Sequence, residues 1–151
     1  MSLDDFFGTS NDKIKTYKGK ISKIDKNQIW VFGANPQFRH GKGSAKFAFD
    51  KCGALYGKNG KIGRQGNSYS IITKDLTKYK HPSVTEEYII EQIEELYKYA
   101  NDNKNLEFII AYSGIGVNLN GYSNQEMANM FKTNNIPNNI IFEENFYKLI
   151  R

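Results

Sequence analysis

Cysteine occurs once in the 151 residues, at Cys52, so no intrachain disulfide and no cysteine-rich zinc site can form. Histidine occurs twice, at His40 and His81, too few for a multi-histidine metal cluster within one chain; the expectation is no metal and no cofactor. Arginine is nearly absent, at Arg39, Arg64 and Arg151 only. Nearly all of the positive charge is therefore lysine, and 21 cations against 16 acids leave a formal charge of +5. No apolar run approaches the roughly 20 residues of a membrane helix. The first ten residues hold Asp4 and Asp5 and no basic residue, which is not the charged start of a secretory signal. The expectation is a cytoplasmic protein with no membrane partner. Hydrophobic residues make up 39% and aromatics 14%, enough for one packed core. The length suits one domain and not two.

The chain alternates between two periodicities. Residues 1–13 are polar and read as a flexible N-terminal segment, leaving 14–151 as a single domain. Ile14 to Ile24 alternates loosely, as an edge strand does. Gln28 to Ala34 carries the apolar run Ile29-Trp30-Val31-Phe32 and reads as a buried central strand. Lys42 to Leu55 predicts a helix with Ala45, Ala48, Phe49 and Cys52 on one face. Gly57 to Asn67 reads as a loop, Ser68 to Thr73 as a strand and Lys74 to Pro82 as a charged connector. Ser83 to Asn101 predicts the clearest helix, opened by a Ser83-x-x-Glu86 capping box, with Ile89, Ile93, Leu96 and Ala100 as its buried stripe. Leu106 to Tyr112 reads as a third strand and Ser113 to Tyr122 as a loop. A second capping box, Ser123 with Glu126, opens a helix bearing Met127, Met130 and Phe131. Asn138 to Phe142 reads as a strand, and Asn145 to Ile150 as a short helix or coil. Strands alternating with helices imply a three-layer α/β domain with a mixed, largely parallel sheet.

Ligands of such sheets bind beyond the carboxyl ends of the strands. After the first central strand comes Asn35 to Ser44, including Arg39, His40, Gly41 and Gly43. After the third comes Ser113-Gly114-Ile115-Gly116-Val117-Asn118. Both segments hold glycines and run towards a helix start. Glycines let backbone N–H groups approach a phosphate, and a helix start favours an anion. Two such loops on one sheet edge suit a diphosphate. The familiar nucleotide and hydrolase motifs are absent: there is no G-x-x-x-x-G-K-[ST] and no G-x-S-x-G.

These segments together resemble a macrodomain, the ADP-ribose-binding α/β fold. The likeness rests on Val31-Phe32-Gly33-Ala34-Asn35, on Arg39-His40-Gly41-Lys42-Gly43-Ser44-Ala45 and on Ser113 to Gly121. It covers about residues 16–142. The chain is similar to the terminal ADP-ribose protein glycohydrolase branch in Lys18-Gly19, Gly41-x-Gly43-x-Ala45, Ile71-Ile72-Thr73-Lys74 and Gly114-x-Gly116. It is also similar to uncharacterised phage and bacterial proteins with a V-F-G-x-N … H-G-x-G … G-x-x-Y-x-I-x-T-K-D pattern, here Val31–Asn35, His40–Gly43 and Gly66–Asp75.

The resemblance implies binding of ADP-ribose or a related nucleotide diphosphate, with hydrolysis of ADP-ribosyl linkages as the associated activity. It implies ligand contacts from Asn35, Arg39, His40, Gly41, Gly43, Ser44 and residues 113–118. It implies that Lys74 attacks the anomeric carbon of the distal ribose. Where the branch carries an acid/base aspartate, the sequence has Asn118; where it carries an aspartate for the adenine, the sequence has Lys20. Asp75 stands as a substitute acid beside Lys74. The implied partners are ADP-ribose or a similar nucleotide, an ADP-ribosylated protein, or nucleic acid. The residues leave two alternatives open: a nucleic-acid-binding protein using Lys42, Lys58, Lys61 and Arg64, or a partner-binding accessory protein without enzymatic activity. The Gly57–Gly66 segment, with Lys58, Lys61 and Arg64, leaves two readings open, a lid over a ligand or a mobile surface loop.

Overall fold

The computed structural model describes residues 14–112, 120–133 and 135–151. The expected flexible segment 1–13 lies outside them. The fold is α/β in three layers. Its elements are β1 (Thr16–Tyr17), β2 (Gln28–Ala34), α1 (Gly43–Lys51), β3 (Gly63–Gln65), β4 (Ser68–Ile72), α2 (Glu86–Asn101), β5 (Glu107–Ile110), α3 (Asn124–Phe131), β6 (Ile140–Glu143) and α4 (Glu144–Ile150). One six-stranded sheet has the order β1-β6-β5-β2-β4-β3. Every pairing is parallel except the β3–β4 hairpin. No helix among the described residues is long and apolar enough to cross a membrane.

The pleat divides the core into two sides. Ile29 and Val31 of β2 lie in register with Phe108 and Ile110 of β5. On this side Tyr99 of α2 packs its ring against Tyr69 and Phe108. The α2 stripe Ile89, Ile93, Leu96 and Ala100 is fully buried, as the helical spacing requires. Farther along the same side, Phe131 of α3 meets Phe142 and Phe146 edge-on. On the other side Trp30 packs edge-on against Phe47 of α1, and its indole N–H donates to Ser44 O at 2.9 Å.

The structure departs from the sequence expectations at four places. The first is the start of α2, where Thr85 and not Ser83 is the N-cap and accepts from Tyr88 N–H at 3.2 Å. Ser83 is unavailable because its hydroxyl accepts the Asp75 N–H at 2.8 Å. The Ser123–Glu126 box at α3 forms as expected. The second is α1, which stops at Lys51, short of Leu55. Gly53 takes φ +88°, a left-handed conformation that ends a helix at little cost to glycine. Ala48 and Cys52 are buried, but Phe49 is 43% exposed instead of facing inward. The third is the Gly57–Asn67 segment, which is not all loop. It holds a short 3-10 turn at Gly57–Asn59 and then β3, paired antiparallel to β4 through the Gly66-Asn67 turn. The expected edge strand at Ile14 to Ile24 shrinks to the two residues of β1.

Candidate functional site

The site follows from strand order. The chain goes from β2 through α1 to β4 on one flank of β2, then through α2 to β5 on the other flank. Right-handed crossovers in opposite directions place α1 and α2 on opposite faces of the sheet. The helices that follow β2 and β5, α1 and α3, therefore lie on opposite faces of the sheet, and the two strand ends are adjacent. The crevice between them is where ligands of open parallel sheets bind. Next to it, Thr73 continues β4, its N–H donating to Ala34 O at 2.9 Å.

An opening marks this end of the sheet. Every residue of β2 from Ile29 to Ala34 is buried except Gly33, which is exposed. A Cβ at Gly33 would lie 2.8 Å from the Thr73 hydroxyl. The missing side chain thus keeps space clear beside Thr73, one residue before Lys74. Lys74 is half-buried, and its amine makes no hydrogen bond or ion pair among the described residues.

The segment after β2 is a built turn. The Asn35 side chain bonds Arg39 at both ends, accepting from its N–H and donating to its carbonyl, each at 3.0 Å. Asn35 O accepts from Phe38 N–H, and Phe38 sits at φ +52°. Asn35 is therefore occupied in shaping the turn. His40 is 3% exposed and sits among aromatic rings, with Phe32 at 5.5 Å and Tyr56 at 5.7 Å. Its Nε2 lies 2.8 Å from Leu55 O; a carbonyl only accepts, so Nε2 carries the proton. His40 thus anchors the segment to the core instead of standing at the crevice. Its Nδ1 is buried without a partner among the described residues.

Beyond His40, Gly41 has open space around its Cα, and Gly43 begins α1 at φ +57°. The N-cap of α1 is Lys42, with no side-chain cap and no acid in the first turn. The first amides of α1 therefore have no anionic partner of their own, an arrangement that suits an external anion.

Gln37 joins this turn to the segment after β4. It donates to the Asp75 carboxylate at 3.2 Å and accepts from Leu76 N–H at 3.2 Å. Asp75 also accepts from the Thr77 backbone at 3.0 Å and the Thr77 hydroxyl at 2.7 Å. The Thr77 backbone bond foremost, then its hydroxyl, holds the Asp75 carboxyl below its ordinary range. Asp75 is thus an ionised proton acceptor at neutral pH and not a proton donor. Sequence reasoning missed Gln37, whose role depends on two segments 38 residues apart meeting. It also missed His81 and Ser83, 2.8 Å apart at Nδ1 and Oγ. Ser83 in turn fixes Asp75 through its backbone. Gly121, at φ +91°, lies so close to the His81–Pro82 peptide that a Cβ there would stand 2.7 Å from it. The end of the segment after β5 therefore packs flush on the chain that follows Asp75.

Ser113, Gly114, Ile115, Gly116, Val117 and Asn118 lie outside the described residues. Cys52 is a core residue: burial pushes its thiol up to about 11. Native protein at pH 7.5 is therefore expected to resist a thiol reagent such as DTNB, with full labelling only after denaturation. Rapid labelling of the folded protein would contradict this burial.

No protein-family model matches the chain, and no curated protein is significantly similar to it.

Proposed function

We propose that the protein binds ADP-ribose or a related nucleotide diphosphate in the crevice between the segments after β2 and β5. The observation that carries this reading is the opening at the end of the central strand, where exposed Gly33 interrupts a buried run beside Thr73. The N-terminus of α1, with Lys42 as its N-cap and no acid in its first turn, adds a positive end nearby. The macrodomain likeness of the sequence supports the choice of ligand.

Turnover extends the same reading. In it, the Lys74 amine forms a C–N bond to the anomeric carbon of the distal ribose as the bond to the modified protein breaks. Water then releases ADP-ribose and restores the amine. The amine must lose its proton to solvent before it attacks, because the Asp75 carboxylate, held below its ordinary range by Thr77, is a weak base. Asp75 is not suited to protonate the leaving group and Asn118 is an amide, so the leaving group takes its proton from solvent water.

Thermal unfolding with added ADP-ribose tests binding. Ligand at 100 times its Kd stabilises by about 2.7 kcal/mol, and the Tm is expected to rise by roughly 5–10 °C. No shift at millimolar ligand would overturn the reading.

A further inference from the structure

The net positive charge of the chain falls within one stretch of sequence that includes α1. Residues 35–62 hold Arg39, Lys42, Lys46, Lys51, Lys58 and Lys61 against Asp50 alone, a surplus equal to the +5 of the whole chain. The α2 helix on the opposite face of the sheet carries Glu86, Glu87, Glu91, Glu94 and Glu95 against Lys98. A local surplus of this kind attracts anions to the α1 region.

An open groove of about 600 Å³ lies within that basic region, between the 36–39 turn and residues 56–60. Arg39 and Lys58 line it, and no acidic residue does. Phe38 and Tyr56 supply aromatic surface, and Tyr56 is 45% exposed. The groove is held in shape. Gly57 N–H donates to Phe38 O at 2.9 Å. A Cβ at Gly60 would lie 2.5 Å from Phe38, so the absent side chain makes room for that ring. Phe38 itself is held at φ +52°, a conformation unfavourable to a bulky residue and maintained here by the surrounding bonds. Phe49 continues the exposed aromatic surface, its ring 5.5 Å from Tyr56 at 74°.

We propose that this groove binds single-stranded nucleic acid, with unpaired bases against Phe38 and Tyr56 and phosphates on Arg39, Lys58 and Lys61. Exposed aromatic faces beside cations are what sequence-tolerant single-strand binding needs, because every base has a stacking face and every linkage a charge. A duplex keeps its base faces internal and offers the aromatics nothing. A mononucleotide would leave the lysines beyond the groove without a phosphate. The proposal does not depend on ADP-ribose binding in the crevice.

The test is fluorescence anisotropy with a labelled 20-nucleotide oligothymidylate at 50 mM salt. Binding is expected, weakening with salt in proportion to the phosphates neutralised. Lys58→Glu and Tyr56→Ala are each expected to weaken it about tenfold or more, as removal of a stacking or phosphate contact does. Lys98→Glu on α2 is expected to leave it unchanged. Because Tyr56 also packs against His40, the exposed Lys58→Glu and Lys61→Glu keep the test independent of folding, and an unchanged Tm confirms the folded state. The proposal is overturned by no binding at 50 mM salt, or by variants that bind like the wild type. It is equally overturned by equal affinity for a duplex of the same length, or by displacement with millimolar ADP-ribose.

Discussion

Lys74→Ala is expected to abolish release of ADP-ribose from a mono-ADP-ribosylated protein while leaving ADP-ribose binding intact. Removal of a covalent nucleophile leaves only positioning and electrostatics, so the rate should fall by about 10³-fold or more. Lys74 is one residue beyond Thr73, which β2 fixes through Ala34 O, so the backbone placing the amine does not depend on the side chain removed. Lys74→Arg separates nucleophilicity from charge. A guanidinium keeps the positive charge but stays protonated, so this variant should bind and fail to turn over. Single-turnover release, with the thermal shift measured on the same samples, reads both quantities. Unchanged turnover in Lys74→Ala would exclude the lysine as nucleophile. Loss of binding together with turnover would mark Lys74 as a phosphate-binding cation instead.

Gln92→Leu is expected to destabilise the fold by about 2–5 kcal/mol, lowering the Tm by roughly 5–15 °C. The reason lies at the end of β4. The neighbouring strand β3 reaches only as far as Gly63, opposite Ser70, so Ile72 has no strand partner on that side. The Gln92 amide fills the place, accepting from Ile72 N–H at 2.7 Å and donating to Ile72 O at 2.9 Å. Gln92 is buried on α2, and leucine would leave both backbone groups unpaired away from water. Urea unfolding would measure the loss, and a change below about 0.5 kcal/mol would show that water takes over these bonds. Because Ile72 leads into Thr73 and Lys74, Gln92→Leu should also loosen the segment bearing the amine, seen as faster amide exchange there.

Much of the fold was legible because burial leaves a period in the sequence. The run Ile29 to Phe32 forms the central strand, and the stripe from Ile89 to Ala100 lies against the sheet as the spacing implied. Ser123 caps α3 with Glu126, a local effect contained in a few adjacent residues. Elements that exist through a partner were not legible. Gly63-Arg64-Gln65 has no apolar alternation and becomes β3 only by pairing with β4. Its arginine, read as a candidate for phosphate, donates instead to Gly66 O and the Tyr99 hydroxyl. Ser83 matched a helix cap in sequence, but the Asp75 amide had already taken its hydroxyl.

The candidate site divides along the same line. The sequence by itself determined which residue types follow the strands: glycines after β2 and β5, and a lysine at Lys74 after β4. It determined these because helix and strand periods are local, and they locate the strand ends to within a few residues. Only the tertiary structure decided which of those residues turn to the opening. It drew His40 into an aromatic core, used both ends of Asn35 to close a turn, and opened the end of β2 at Gly33. It also set α1 and α2 on opposite faces of the sheet. The physical reason is that a polar side chain serves whichever partner the fold brings within about 3 Å, and strand order, not neighbouring sequence, sets that partner.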